Sequence, residues 1–223
     1  MEARSRVRGA GFSCGGYSLP ARGRSNQDRF RLSERGFVVC DGIGGSDAGE
    51  VFAEMVAWKT SEQLNNGMTA ETAIAEASTL IERFRCAACI SGGASGSVVS
   101  MDKGGGCSIC SCGDTRAFLV SGEGVIDLSS PNEDSRGFLT SYIGSLEYPR
   151  RCSTRTIGPD GLRGSTLLLV SDGVWKYLSG EELADTCRRF RSSSYDLARS
   201  LVEQAKSCLS PDDCTAVACL FDG

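Results

Sequence analysis

The most informative absence in this sequence is histidine, which does not occur once among its 223 residues. Without an imidazole, the chain can build neither a Ser-His-Asp triad nor a Cys-His pair. Zinc sites that use histidine ligands are excluded for the same reason. Any chemistry must therefore rest on carboxylates, thiols, hydroxyls, arginine, lysine or a bound metal.

Long hydrophobic runs are also missing, because no stretch of about 18 consecutive apolar residues occurs. We therefore expect no membrane span, and residues 1–12 lack the apolar core of a signal peptide. These features predict a cytoplasmic protein whose 12 cysteines are free thiols. A monomer is the default expectation.

Lysine is scarce, with 4 residues against 20 arginines, and the net charge is −4. A slightly acidic chain gives no reason to expect nucleic acid or an anionic membrane as a partner. Seven arginines fall within residues 1–31, where Glu2 and Asp28 are the only acids. Arginine favours bidentate phosphate recognition, although a solvated basic face is the simpler interpretation.

Hydrophobic periodicity and turn residues predict the secondary structure. The predicted strands cover 5–13, 28–40, 97–101, 107–112, 117–120, 125–126, 167–170 and 214–221. The predicted helices cover 48–64, 70–89, 180–190 and 194–208, and residues 129–164 are expected to be irregular. Strands in hairpins and helices in two groups indicate an α+β fold, most simply a single domain over residues 1–223.

Two details of these helices can be compared with a structure. The first helix is expected to carry Val51, Met55 and Trp58 on one apolar face, with Phe52 and Val56 beside them. Ser179 and Glu182 have the spacing of a capping box at the start of the third helix.

Carboxylates stand at the ends of apolar runs in several separate parts of the chain. Asp41 and Asp172 each follow such a run and precede a glycine, which lets neighbouring backbone approach closely. Gathered carboxylates repel each other unless a proton or a cation joins them. Oxygen ligands suit Mg²⁺ or Mn²⁺, so the pattern predicts a hard-metal site. The full set of candidate acids is Asp28, Asp41, Asp114, Asp172, Asp212 and Asp213.

Seven motifs occur in order between residues 25 and 217, and the resemblance that they carry covers nearly the whole chain, about residues 5–222. They are SNQDRF (25–30), VVCDGIGGSDAGE (38–50), GASGS (93–97), CGDTRAFLV (112–120), LTSYIG (139–144), LLVSDGVW (168–175) and DDCTAV (212–217). With these motifs the sequence resembles the metal-dependent serine/threonine protein phosphatases of the type 2C (PPM) family, in their compact bacterial form. The resemblance implies a four-layer sandwich, in which two antiparallel sheets pack together and helices cover the outer faces.

The resemblance also implies an activity. Family members hydrolyse phosphoserine and phosphothreonine in proteins with a water activated at a binuclear metal centre, and so reverse the action of a protein kinase. The expected cofactors are two Mn²⁺ or Mg²⁺ ions per chain, with a third, weaker ion. The expected partners are phosphorylated proteins and an opposing Ser/Thr kinase, with neither nucleic acid nor a membrane.

The family's catalytic roles transfer onto three matching aspartates, which would act through metal-bound water. Asp41 matches the aspartate that bridges two ions, and Gly42 matches the residue that gives a backbone carbonyl to one of them. Asp172 and Asp212 match the remaining ligands of the first ion.

Three further positions match supporting roles in the family. Asp114 corresponds to an aspartate that helps to hold the third ion. Gln27 corresponds to a position that reaches the second ion through water, and Asp28 to an acid that supports this shell.

The sequence departs from the family pattern around the phosphate. Gly23 occupies the position of the usual phosphate-binding arginine, so Arg24 or Arg22 must take that role, and we favour Arg24. Asp213 replaces a common asparagine and adds negative charge beside the site. The substrate-facing flap must lie within residues 129–164.

Other functions remain open on the sequence alone. The protein could be a pseudophosphatase that binds phosphoproteins without cleaving them. Cys110 and Arg116 have the Cys-x5-Arg spacing of thiol phosphatases, although a strand rather than a helix is predicted after them. Cys86-x2-Cys89 and Cys107-x2-Cys110 suggest a zinc or redox module, but buried core thiols are the simpler interpretation.

Overall fold

The computed structural model describes residues 3–9, 11–43, 48–130, 132–136, 138–145 and 152–223. The strands are β1 (Ala3–Gly9), β2 (Phe12–Leu19), β3 (Asp28–Ser33), β4 (Gly36–Gly42), β5 (Ala94–Met101), β6 (Cys107–Cys112), β7 (Arg116–Ser121), β8 (Gly124–Asp127), β9 (Ser153–Ile157), β10 (Thr166–Val170) and β11 (Cys214–Phe221). The helices are α1 (Gly49–Asn65), α2 (Ala70–Ala88), α3 (Pro159–Leu162), α4 (Asp172–Trp175), α5 (Gly180–Arg189) and α6 (Ser194–Ser207). The predicted α+β class is confirmed.

The strands form two sheets in which all neighbours run antiparallel. One sheet has the order β1-β2-β11-β10-β7-β8, and the other has the order β3-β4-β5-β6-β9. Helices α1 and α2 pack on the five-stranded sheet, while α5 and α6 pack on the six-stranded sheet.

Alternation along β10 shows how the layers stack. Leu167 and Leu169 lie in the core between the two sheets, whereas Leu168 and Val170 lie in the core beneath α6. Successive side chains of a strand point to opposite faces, so a strand buried on both faces needs a continuous apolar run. The predicted sandwich of four layers is therefore confirmed.

The prediction of one strand over residues 5–13 is wrong. The chain turns near Gly11, whose φ is +81°, and then enters β2, which continues to Leu19. The sequence did not predict β2 because Gly15 and Gly16 lie in its middle, and glycine usually weakens a strand interior. Here a Cβ on Gly15 would overlap the backbone of α6 at Tyr195, and one on Gly16 would overlap the ring of Phe30.

Helix α1 lies where it was predicted, but its buried face is centred on Phe52 and Val56 and leaves out Val51 and Trp58. Val51 and Trp58 are 42% and 49% exposed, whereas Phe52 and Val56 are completely buried with the small residues beside them. The buried stripe runs through residues 52, 53, 56, 57, 60 and 64. Alanines 53 and 57 widen this stripe, and counting only the large apolar residues missed them.

The segment 129–164 is only partly irregular. It contains β9 at the edge of the five-stranded sheet and the short α3, while residues 131, 137 and 146–151 lie outside the described residues.

The predicted capping box at the start of α5 is confirmed, because the Ser179 hydroxyl accepts from the Glu182 N–H and the Glu182 carboxylate accepts from the Ser179 N–H. No helix within the described ranges is both long and apolar enough to cross a bilayer.

Candidate metal centre

The predicted metal residues meet at one end of the sandwich. Asp41 lies near the end of β4, Asp114 in the turn between β6 and β7, and Asp172 directly after β10. Asp212 lies just before β11, and these four aspartates line one cavity of about 450 Å³. Antiparallel pairing produces this convergence, because the last residues of β10 and the first residues of β11 lie at the same end of the six-stranded sheet.

Asp28 and Asp41 face each other as direct partners across β3 and β4. Like charges in such a pair destabilise a sheet. Burial, with the charges of Asp213 and Asp172, raises the pKa of Asp28 to about 7 against the hydrogen bonds from Thr215 and Ser171. Burial and the neighbouring carboxylates also raise the pKa of Asp41 well above its usual range. The pair therefore favours a proton or a cation between the strands.

Ser171 is a positioning residue that the sequence did not single out. Its hydroxyl donates to Asp28 Oδ2 at 2.7 Å and accepts from the backbone N–H of Thr215 at 2.9 Å. Asp28 Oδ1 is buried and has no hydrogen-bond partner. One carboxylate oxygen is thus fixed and the other is left free for a ligand.

Asp114 is held by the turn that carries it. The Ser95 hydroxyl accepts from the backbone N–H groups of Asp114 and Thr115 at 2.9 and 2.8 Å. Gly113 precedes them with φ +95°, and a Cβ there would overlap the Ser95 side chain. Burial, followed by the charge of Asp172, raises the pKa of Asp114 to about 6.

The glycines after the two central aspartates allow close backbone approach. A Cβ on Gly42 would overlap the carbonyl of Gly49 at the start of α1, and one on Gly173 would overlap the carbonyl of Asp213. Neither glycine has a positive φ, so proximity and not turn geometry requires them. This confirms the interpretation of the two Asp-Gly pairs.

Asp213 has a structural function at the cavity wall. Its carboxylate accepts from the backbone N–H of Ala21 at 2.6 Å and from that of Gln27 at 2.7 Å. These bonds fasten the segment between β2 and β3, and they place Gln27 in the cavity lining beside Asp41. The added charge of Asp213 is therefore partly satisfied by the backbone.

The two candidate phosphate-binding arginines have different surroundings. Arg24 lines the cavity, and its Nη2 lies 3.4 Å from Asp212 Oδ1. Arg22 is exposed and does not contribute to the lining of the cavity. The preference for Arg24 is compatible with this placement and stays a prediction.

The structure adds two residues that sequence reasoning missed, Lys176 and Glu133. Lys176 Nζ lies 2.9 Å from Asp172 Oδ2, 3.3 Å from Glu133 Oε1 and 3.9 Å from Asp114 Oδ2. Burial opposes the charge of Lys176, but the hydrogen bond and charge of Asp172, with Asp114 and Glu133, raise its pKa overall. The spacing of Lys176 four residues after Asp172 was the available signal.

The acidic cluster does not yet have the geometry of a bound ion. In the part of the chain that the structure describes, no three Asp, Glu or Cys side chains are arranged to hold a metal as they stand. Lys176 Nζ lies within 4.0 Å of three of the carboxylates, those of Asp114, Asp172 and Glu133. The donor set itself consists of oxygen atoms, with Asp172 Oδ1 buried and without a partner.

The thiol alternatives do not fit the structure. Cys110 is fully buried within β6, and Arg116 is tied to Asp127 at 3.1 Å, so the two do not form a phosphate-binding loop. The prediction of core thiols is correct for Cys107 and Cys110 but wrong for Cys86 and Cys89, which are exposed near the end of α2. All 12 cysteines are free thiols.

A larger cavity, of about 730 Å³, lies at the opposite end of the six-stranded sheet. It is lined by the start of β2 and the end of β11, with Arg8, Arg188 and Arg191 at its surface. It contains none of the predicted metal residues, so the smaller cavity is the candidate site.

Comparison with known sequences supports the type 2C resemblance. The family model described as protein phosphatase 2C matches residues 156–214. A curated rice (Oryza sativa subsp. japonica) protein, "Probable protein phosphatase 2C 41", is 27% identical over 143 residues, or 51% of this chain and 49% of the relative. The chain thus spans about half the length of the curated relatives it matches, and its assignment as a single domain stays a prediction.

Comparison with solved structures establishes the fold. PppA, described as a regulatory component of the type VI secretion system of Pseudomonas aeruginosa, superposes with a TM-score of 0.80 at 21% identity over 97% of this chain and 100% of its own. The Mycobacterium tuberculosis serine/threonine phosphatase PstP gives a TM-score of 0.82 at 17% identity, covering 95% and 99%. Another PstP structure contains two manganese ions. The fold of this chain, a two-sheet sandwich with helices on the outer faces, is shared with these solved structures. The predicted resemblance is confirmed: the chain is similar to the type 2C protein phosphatases in sequence over part of its length and in fold.

Proposed function

We propose that this protein is a metal-dependent phosphatase that hydrolyses phosphoserine and phosphothreonine in other proteins. One observation carries the proposal, namely that aspartates from distant parts of the chain line one cavity at the end of a PPM-type sandwich. Their number and closeness call for divalent cations, and the pattern of motifs matches the phosphatase family in order. We propose two Mg²⁺ or Mn²⁺ ions at this cluster, as PstP binds manganese.

The residues present suit such ions. Carboxylate and carbonyl oxygens are the ligands that Mg²⁺ and Mn²⁺ prefer. The buried, unpartnered oxygens of Asp28 and Asp172 are acceptors without a donor, and such atoms are costly unless something binds them. Asp41, the Gly42 carbonyl, Asp172 and Asp212 would hold the two ions, with Gln27 beside them.

Two ions bound there would supply charge neutralisation and an activated water for attack on phosphorus. The chain's own residues provide the orientation. Ser171 fixes Asp28 through one oxygen, and Ser95 fixes the backbone of Asp114. Arg24 would bind the phosphate at this cavity, where its guanidinium is largely exposed and lies 3.4 Å from Asp212.

The flap segment supports a protein substrate. Phe138, Leu139 and Tyr142 line the same cavity as the aspartates, and Phe138 is 65% exposed. An exposed aromatic ring beside a phosphate site can contact the residues that flank a phosphoserine or phosphothreonine. We propose phosphorylated proteins as substrates and a Ser/Thr kinase as the opposing enzyme.

The proposal is tested by hydrolysis of a phosphothreonine peptide with added Mn²⁺. Replacing Asp41 with asparagine keeps the shape and removes the bridging charge. We expect kcat/KM to fall by more than about a hundredfold, since even outer-shell partners of metals cost 10–100-fold. The matched control is Asp160→Asn in the exposed α3, which should behave as the wild type.

Two results would decide against the proposal. Equal turnover by the wild type and Asp41→Asn would exclude a metal site built on Asp41. A folded wild type that binds a phosphopeptide but shows no Mn²⁺-dependent turnover would instead identify a pseudophosphatase. The complete set of aspartates argues against that alternative.

A further inference from the structure

Lys176 stands where three carboxylates converge. Its ammonium lies within 4.0 Å of Asp172, Glu133 and Asp114, which come from three different segments. The three carboxylate side chains are only 12–16% exposed. Water therefore screens this group poorly, and the attraction between the ammonium and the carboxylates is stronger than at an open surface.

Neighbouring residues hold this arrangement in place. The indole of Trp175 donates to the Asp114 carbonyl at 2.8 Å, and Arg116 stacks over the same indole at 4.4 Å. Arg116 also lies 3.9 Å from Glu133 Oε2. The Glu133 carboxylate therefore lies between two cations, Arg116 on one side and Lys176 on the other.

The two carboxylate oxygens of Asp172 differ in their contacts. Oδ2 accepts from Lys176 at 2.9 Å, whereas Oδ1 is buried without a partner. The free oxygen is available to an ion shared with Asp41 and Asp212. On the Asp114 side, a divalent ion would have to enter the space that the ammonium fills, against the repulsion of a positive charge at contact distance.

We propose that the Lys176 ammonium replaces a third metal ion at the Asp114–Asp172–Glu133 group, so that the centre takes two ions. This inference rests on the proposed function, because it concerns the occupancy of the same metal centre. It modifies the expectation from the resemblance, in which Asp114 helps to hold a third ion. In this proposal Asp114 pairs with Lys176 and not with an ion. Glu133 connects the flap segment, within residues 129–164, to the metal centre.

The test is the number of Mn²⁺ ions bound per chain, measured by equilibrium dialysis with metal analysis. Lys176→Gln removes the charge and keeps a polar side chain of similar length. We expect this variant to bind one more ion than the wild type, and Lys176→Arg to match the wild type. Lys103→Gln makes the same change of charge in the exposed β5–β6 loop and should add no ion.

A double variant locates the added ion. Lys176→Gln combined with Asp114→Asn should lose the extra ion while circular dichroism shows the fold retained. The inference is overturned if Lys176→Gln binds the same number of ions as the wild type, or if the wild type already binds three. Binding of no Mn²⁺ by the wild type would instead overturn the binuclear centre, so the two failures are distinguishable. The lysine inference is then still decided by the difference between the variant and the wild type.

Discussion

Arg22 and Arg24 differ in their surroundings although only Gly23 separates them. Gly23 has φ +78°, and the turn it makes leaves Arg24 beside the cavity while Arg22 is exposed away from it. A guanidinium therefore lies at the cavity although Gly23 occupies the position of the usual arginine. This shift is a property of one turn and is small enough to test with single substitutions.

Arg24→Ala should raise KM for a phosphopeptide by about tenfold or more, because a hydrogen bond to a charged group contributes about 1.5–3 kcal/mol. The ion pair with Asp212 is mostly exposed, so its loss should cost little stability. Steady-state kinetics at saturating Mg²⁺ separates KM from kcat. Arg22→Ala is the matched control, and equal effects of the two substitutions would contradict the assignment.

At the scale of elements, the junction of β10, α4 and β11 sets the position of two aspartates. Asp172 begins α4, Asp212 precedes β11, and Gly173 lets the two backbones touch. A single Cβ at Gly173 would have to push the two segments apart. The geometry of the centre therefore depends on a residue with no side chain.

Gly173→Ala should lower the free energy of unfolding by about 1–3 kcal/mol, as overpacking does in cores. It should also weaken Mg²⁺ binding, because Asp172 and Asp212 would separate. Denaturant unfolding and calorimetric titration measure the two effects. Gly122→Ala, where a Cβ would meet nothing within 4 Å, should change stability by less than about 0.5 kcal/mol. A Gly173 variant that behaved like this control would refute the close approach.

The sequence predicted local features well and tertiary ones poorly. Asp41 and Asp172 stood out because each ends an apolar strand and precedes a glycine. Lys176 and Glu133 could not be paired, because Glu133 lies in a segment without regular secondary structure and only the fold brings it to α4. Strand β2 was missed for a related reason, since Gly15 and Gly16 are explained by packing against Tyr195 and Phe30 and not by local preference.

At the scale of the whole molecule, metal binding at the carboxylate cluster would be coupled to stability. Burial raises the pKa of Asp28 to about 7 and that of Asp114 to about 6, against about 3.9 in an unfolded chain. The folded state without metal therefore binds more protons than the unfolded state. Its stability should fall as pH rises from about 4 to about 7, and the full penalty applies above that range.

Saturating Mg²⁺ should raise Tm, and the increase should be larger at pH 8 than at pH 5.5, because protons and metal compete for the same carboxylates. Differential scanning calorimetry with and without EDTA measures both values. The Asp28→Asn variant should show a shallower dependence of metal-free Tm on pH. An increase in Tm that does not depend on pH would argue against the carboxylate cluster as the binding site.

The wide spacing of the site residues along the chain has a consequence for folding kinetics. Gln27 and Asp213 are hydrogen-bonded neighbours separated by 186 positions. Asp41 lies in β4 of the five-stranded sheet, whereas Asp172 begins α4, just after β10 of the six-stranded sheet. Such distant contacts form late in folding. The segment 156–214 alone, which the family model matches, carries Asp172 and Asp212 but lacks Asp41. Metal uptake should therefore begin only when both sheets have docked, and its time course in a refolding experiment would mark the last step of assembly.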